Sequence, residues 1–285
     1  MKINIFTYLT GYGSKIYERF VGSLFDTGFD SSIYLFVHNR DLTTLSQLDQ
    51  SLLEKISIVN CPDHMNNQTD LKNGLPNKNT EEIHPQNFRY LLYLGFLQQN
   101  KQPKNEYSFF CDSRDVLFQK NPNLYNIQDD IDMLLFEEDT IIRDCFFNRE
   151  WFNSVKKHIP DGKFDYINKK AINSGTILVK NTSLSNFIGK FCETMMTNGL
   201  NKIPIIDQGI HNYLYYNDLY KCNCVAINND NEFINTVGSP ESFKGLNNQG
   251  QIINQNNQTT YIVHQYDRMD KKNLKEISNK YDFTL

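Results

Sequence analysis

Two aspartates three residues apart, Asp112 and Asp115, follow the apolar run Tyr107–Cys111 in the stretch Cys111-Asp112-Ser113-Arg114-Asp115. Carboxylates in the turn where a strand stops can converge on one cation, and open α/β sheets bind ligands outside the carboxyl ends of their strands. Magnesium and manganese take hard oxygen ligands and keep water or substrate phosphate in their shell, so two carboxylates and one further ligand suffice. Arg114 stands between the aspartates and can pair a carboxylate or donate to a diphosphate. The same stretch also reads as a plain surface turn with an Arg–Asp pair. A third ligand is offered by His264, directly after the apolar run Tyr261-Ile262-Val263. Imidazole shifts preference toward a transition ion, so manganese is expected, with magnesium as the other choice. A lone histidine more often serves structure, and His264 gains its weight only beside the aspartates.

The elements that must position these residues follow from periodicity. Residues 2–9 read as a buried strand closed by the turn Thr10-Gly11-Tyr12-Gly13. Tyr17, Phe20, Val21 and Leu24 then recur at helical spacing after an N-cap at Ser14, and Gly28 stops the helix. Strands at 33–37 and 56–60 flank a helix near 45–53, residues 62–86 form a long polar loop, and Phe88, Leu91, Leu92, Gly95 and Phe96 mark a helix face. The run Tyr107–Cys111 has no alternation, which predicts a central strand covered on both faces. Further strands are expected at 132–136, before Glu137-Glu138-Asp139, and at 171–179, interrupted by Asn173-Ser174-Gly175. Helices are expected over the stripe Leu184, Phe187, Ile188, Phe191 and Met195, and from Asp207 onward, where Asp suits an N-cap. From Cys222 on there are two or three short strands, with a polar hairpin or loop at 247–260. The alternation of strands and helices predicts an α/β fold with a mixed, mainly parallel central sheet flanked by helices.

Bulk properties narrow the partners. The 285 residues suffice for one large α/β domain. Net charge is −4 with basic residues scattered, so nucleic acid is not expected as a partner. No apolar run approaches the roughly 20 residues that span a bilayer, and no signal-peptide pattern opens the chain, so a cytoplasmic protein is expected. Six cysteines without C-x-x-C spacing are expected to be reduced thiols. Composition says nothing about oligomeric state.

Taken in order, Asp112-Ser113-Arg114-Asp115-Val116-Leu117-Phe118-Gln119, Asn173-Ser174-Gly175, Asp207-Gln208 and His264-Gln265-Tyr266-Asp267-Arg268 resemble the motifs of GT-A-fold glycosyltransferases. More narrowly, two aspartates spaced D-x-x-D with a distant C-terminal histidine are similar to the collagen glycosyltransferase domains of lysyl hydroxylases and related microbial and giant-virus enzymes. The resemblance implies a Rossmann-like nucleotide-sugar-binding fold. It also implies transfer of a sugar from a nucleotide donor, with a UDP-sugar favoured, to a hydroxyl acceptor on a glycan or protein. Asp112, Asp115 and His264 would hold Mn2+ (or Mg2+) against the diphosphate. Thr7, Tyr8, Thr10 and Gly11 would cradle base and ribose, and Arg89, Ser113 and Arg114 would face the nucleotide. Asn173, Ser174, Gly175 and Gln208 would line the sugar or acceptor side. Asp207 would act near the anomeric carbon, as a general base or by binding donor hydroxyls. Arg114 occupies the place of the second aspartate of the common D-x-D pattern, so Asp115 must substitute.

Other classes use parts of this set. A nucleotidyltransferase acting on sugar phosphates uses strand-end aspartates, but gives the later motifs no role. A phosphatase of the haloacid-dehalogenase type would want an acid where Arg114 stands. A non-catalytic sugar-binding module of the same fold would bind sugar without metal-dependent turnover.

Overall fold

The protein is described here by a computed structural model covering residues 1–61, 83–239 and 242–277. Most of the polar stretch 62–86 lies outside the described residues. The chain opens with β1 (Ile3–Tyr8), α1 (Ser14–Asp26), β2 (Ile33–His38), the single turns α2 (Leu42–Leu45) and α3 (Gln50–Leu53), and β3 (Ser57–Cys61). Helix α4 (Pro85–Gln99) leads into β4 (Tyr107–Cys111), β5 (Val116–Phe118), β6 (Met133–Ile141), α5 (Phe146–His158) and β7 (Lys170–Lys180). Then come α6 (Lys190–Thr197), α7 (Asp207–Tyr216), β8 (Cys224–Ile227), β9 (Ile234–Thr236), β10 (Ile262–His264) and α8 (Lys271–Ile277).

Seven strands form one sheet in the order β3-β2-β1-β4-β7-β6-β8, and β5-β10-β9 form a second, three-stranded sheet. In the large sheet only β7 runs against its neighbours, pairing antiparallel with both β4 and β6. The sheet is therefore mixed and mainly parallel, as the alternation of elements predicts.

Strand β4 shows why its sequence lacks alternation. Phe109 and Phe110 point to opposite faces and enter two different apolar clusters, one with Phe20, Val21 and Leu24 of α1, the other with Tyr90, Phe187 and Phe191. Both rings are buried, and each contributes roughly 1.5–3 kcal/mol over an exposed position, so the run locks β4 in mid-sheet. Its C-terminal end carries Asp112 into the turn.

Several boundaries differ from expectation. The helix predicted near 45–53 is two single turns, α2 and α3, separated by a bend. Strand β7 continues through Asn173-Ser174-Gly175 in the sheet interior, but the expected interruption is there as a bulge: the pairing with β6 steps from Leu135↔Ile177 to Glu137↔Ile172, and shifts again between Glu137 and Ile141. Strand β6 takes in Glu137-Glu138-Asp139, and a π-helical turn, Ser185–Gly189, precedes α6. Asp207 is the first residue of α7 with Ile206 as N-cap, because its carboxylate is committed elsewhere than to the helix end. The stretch 247–260 is tied by two isolated bridges, Leu246↔Ile252 and Ile253↔Thr259. Among the described residues no helix is long and apolar enough to cross a membrane.

Candidate functional site

Two short-range tethers bring the C-terminal histidine to the aspartates. Strand β10 pairs antiparallel with β5, His264 opposite Val116, and the Gln265 N–H donates to the Asp115 carbonyl at 2.8 Å. Asp112 is held from the other side, where its N–H donates to Gly175 O at 2.7 Å. As a result one ligand atom each from Asp112, Asp115 and His264 lies within 4.8 Å of the others.

The residues present fit a divalent cation. Nε2 of His264 is buried without a hydrogen-bond partner and lies 3.8 Å from Asp112 Oδ2. A Cβ on Gly175 would stand 2.5 Å from that nitrogen and 2.6 Å from that oxygen, so the glycine keeps the space between the ligand atoms open. On the far side of the ring, Nδ1 faces Thr236 Oγ1 at 3.5 Å, and Asn173 Nδ2 donates to the same hydroxyl at 3.4 Å. With the proton on Nδ1, this arrangement leaves the Nε2 lone pair toward the aspartates.

The two carboxyls titrate in opposite directions. Burial opposes ionisation of Asp112, but the Arg89 guanidinium, and after it His264, outweigh burial and hold the carboxyl well below the usual aspartate range. Asp115 is pushed up to about 6, first by burial and then by the negative charges of Asp112 and Asp267, which His264 and Arg114 only partly offset.

Arg89 of α4 joins the metal side to α7. Its side chain is 9% exposed; Nη1 bonds Asp112 Oδ1 and Nη2 lies 2.7 Å from Asp207 Oδ2. Ser174 Oγ donates to the same Asp207 oxygen at 3.2 Å, and the Ser174 carbonyl accepts from Arg89 at 3.3 Å. Gln208 accepts from the Ser174 N–H at 3.3 Å and donates to Glu138 at 3.2 Å and to Asn148 at 2.7 Å.

A cavity of about 280 Å³ opens beside this network, lined by Tyr8, Thr10, Tyr12, His84, Gln86, Arg89, Asp112, Ser113, Arg114, Asp115 and Arg268. Of the residues singled out from sequence, six of these line it together with Asp115, while Asp207 and Ser174 reach it through Arg89 and Gln208 stands behind Ser174. Thr7 and Gly11 stand apart. Thr7 is fully buried and donates to the Cys111 carbonyl at 2.9 Å, and the Gly11 N–H donates to Asp41 Oδ1 at 3.0 Å. Asn173 is likewise buried, its Oδ1 accepting from Thr176 N–H and Oγ1 at 3.0 and 2.7 Å. Sequence reasoning missed Asp41, which also takes the Thr10 hydroxyl, as well as Tyr12, His84, Gln86, Thr236, Glu138 and Asn148. Arg268 and Asp267 sat within a quoted motif, but without roles. The six cysteines are free thiols, with Cys61, Cys111 and Cys192 buried and Cys145, Cys222 and Cys224 half-buried.

No protein-family model and no curated protein sequence matches the chain. Solved structures do. A structure of an active-site mutant of LgtC superposes with a TM-score of 0.56 at 10% identity, covering 99% of this chain and 97% of the other. The galactosyltransferase LgtC in complex with donor and acceptor sugar analogues gives a TM-score of 0.55 at 10% identity over the same shares. Shared over nearly the whole of both chains, this is a likeness of architecture, and it shows that the chain has the GT-A fold.

Proposed function

We propose that the protein is a metal-dependent glycosyltransferase that moves a sugar from a nucleotide-sugar donor to a hydroxyl acceptor. The observation that carries this reading is the convergence of Asp112, Asp115 and His264 on one point at the carboxyl end of β4, where the two aspartates also line the cavity. The LgtC complex with donor and acceptor sugar analogues supports the reaction class.

In this reading Asp112, Asp115 and His264 hold Mn2+, with Mg2+ the other candidate. Such an ion offsets charge on the departing diphosphate. Tyr8, Thr10, Ser113 and Arg114 line the nucleotide's side of the cavity, with Thr7 and Gly11 shaping the strand and turn beneath it. Asp207 is the carboxylate beside the transferred sugar. Its Oδ2 is taken by Arg89 and Ser174, an arrangement suited to binding donor hydroxyls. Asn173, Ser174, Gly175 and Gln208 form the buried layer behind the sugar and acceptor side. A UDP-sugar is the first donor to test, and hydroxyls of glycans and of proteins are the acceptors to try. We read residues 1–120 as the nucleotide half and 121–285 as the acceptor half of one domain.

The test is Mn2+ titration with nucleotide release from a panel of UDP-sugars. Asp115→Ala and His264→Ala should each lose at least about tenfold in Mn2+ affinity and most donor hydrolysis, the scale expected for loss of one ligand. Unchanged affinity and hydrolysis in both variants would sink the reading. Sugar binding without metal-dependent turnover would instead identify a non-catalytic module, and nucleotidyl transfer to a sugar phosphate would identify the other enzyme class.

A further inference from the structure

The strap that follows His264 is fastened to the aspartate turn at three points. The Gln265 N–H donates to Asp115 O at 2.8 Å, the Tyr266 hydroxyl donates to Arg114 O at 2.5 Å, and Arg114 Nη2 lies 2.8 Å from Asp267 Oδ2. The first two fix only the main chain of the turn. The third joins side chains of unequal exposure, 45% for Arg114 and 15% for Asp267, and Oδ1 of Asp267 is buried with no hydrogen-bond partner. A carboxylate with one oxygen cut off from water and unpaired leans on the guanidinium that meets the other. The backbone between His264 and Asp267 has little freedom to compensate. Gln265 adopts φ 61°, and a Cβ on Gly238 would stand 1.9 Å from its amide oxygen.

We propose that the Arg114–Asp267 ion pair is a latch that seats His264 opposite Asp112 and Asp115, which makes Arg114 and Asp267 positioning residues for the metal site. The proposal rests on the metal-site reading above. It gives a reason for an arginine in the middle of the D-x-x-D stretch, where a cation close to a cation site is otherwise unfavourable. Arg114 lines the cavity as well, and its fork has enough N–H groups to pair Asp267 and still face an anion. The latch therefore has to be tested without nucleotide.

Electrostatics alone and the latch predict opposite signs for one variant. If Arg114 acts only through its charge, Arg114→Met removes a repelling cation and tightens Mn2+ binding. With a latch, the same change loosens His264 and weakens Mn2+ binding. Mn2+ affinity of the metal-free protein, measured by isothermal titration calorimetry in the absence of nucleotide, decides between them. Arg114→Met and Asp267→Asn should each bind about tenfold more weakly, equal to about 1.4 kcal/mol, and Arg114→Lys, which keeps one charged donor, should recover most of that loss. Thermal unfolding of each variant checks that it is folded; because Asp267→Asn also removes a negative charge near the site, the sign test is repeated with Arg114→Gln should Arg114→Met fail to fold. Arg114→Met binding as tightly as the unaltered protein or more so, while His264→Ala loses affinity, would overturn the latch alone. Failure of the unaltered protein to bind Mn2+, or undiminished binding by His264→Ala, would overturn the latch and the metal-site reading together.

Discussion

At the scale of single residues, the site depends on a side chain that is missing. Gly175 is no ligand, yet a methyl group there would fall within 2.6 Å of both Asp112 Oδ2 and His264 Nε2, closer than real Cβ contacts come. Gly175→Ala should therefore drive these ligands apart and weaken Mn2+ binding by at least about tenfold, comparable with losing a ligand's support. Calorimetric titration checks this, and affinity equal to that of the unaltered protein would show that the ligands can shift without loss. The three proposed ligands were legible in sequence because each is a local event: a hard or imidazole ligand placed where an apolar strand ends. Gly175 was legible only as a place of close backbone approach. What approaches it, the pairing of β7 with β4, lies in no single stretch of sequence.

At the scale of elements, the site is a meeting of helix ends with strand ends. Arg89 leaves α4, Asp112 the end of β4 and Asp207 the start of α7, and one buried guanidinium serves both carboxylates. Removing one partner of a buried ion pair leaves charge uncompensated and costs about 3–5 kcal/mol. Arg89→Met should lower stability by an amount of that order, read from urea unfolding at pH 7, whereas loss of a solvated surface pair would cost under about 1 kcal/mol. A result in the lower range would mean that water already satisfies the carboxylates. The resemblance put Arg89 on the helix before the metal strand, facing a nucleotide, and Arg89 does line the cavity. Its pairing with Asp207, more than a hundred positions further on, follows from packing of α4, β7 and α7 that periodicity does not encode. Strand β7 illustrates the same limit, since Asn173-Ser174-Gly175 reads locally as an interruption and proves to be a bulge, with Ile177 facing Leu135 of β6 and Ile172 facing Glu137, inside a strand that continues on both sides. Helix α5 was not anticipated at all, although Asn148 on it holds Gln208.

At the scale of the whole molecule, the proposed ion would bridge segments about 150 residues apart in sequence. A ligand that binds only the folded state adds RT ln(1 + [L]/Kd), about 2.7 kcal/mol at a concentration of one hundred Kd, so Mn2+ should raise the unfolding temperature by several degrees and a chelator should reverse it. The effect should depend on acidity through Asp115. Its folded value near 6 stands above the ordinary 3.8, so the metal-free fold gains stability from proton binding below about 3.8 and loses it as pH rises through about 6. Proton and cation compete for that carboxylate. The Mn2+-induced rise should be full above pH 6 and shrink below it, with affinity falling about tenfold per unit for one proton displaced. A rise independent of pH between 5 and 7.5, measured by differential scanning fluorimetry, would show that the Asp115 carboxyl is not raised in the metal-free fold. His264 itself sits on a three-residue strand wedged between β5, far earlier in the chain, and β9. During synthesis, then, the aspartate turn emerges from the ribosome long before its partner, and a nascent or prematurely terminated chain lacking β10 has the aspartates without the histidine of the proposed ion seat, so truncated products should be inert rather than half-active.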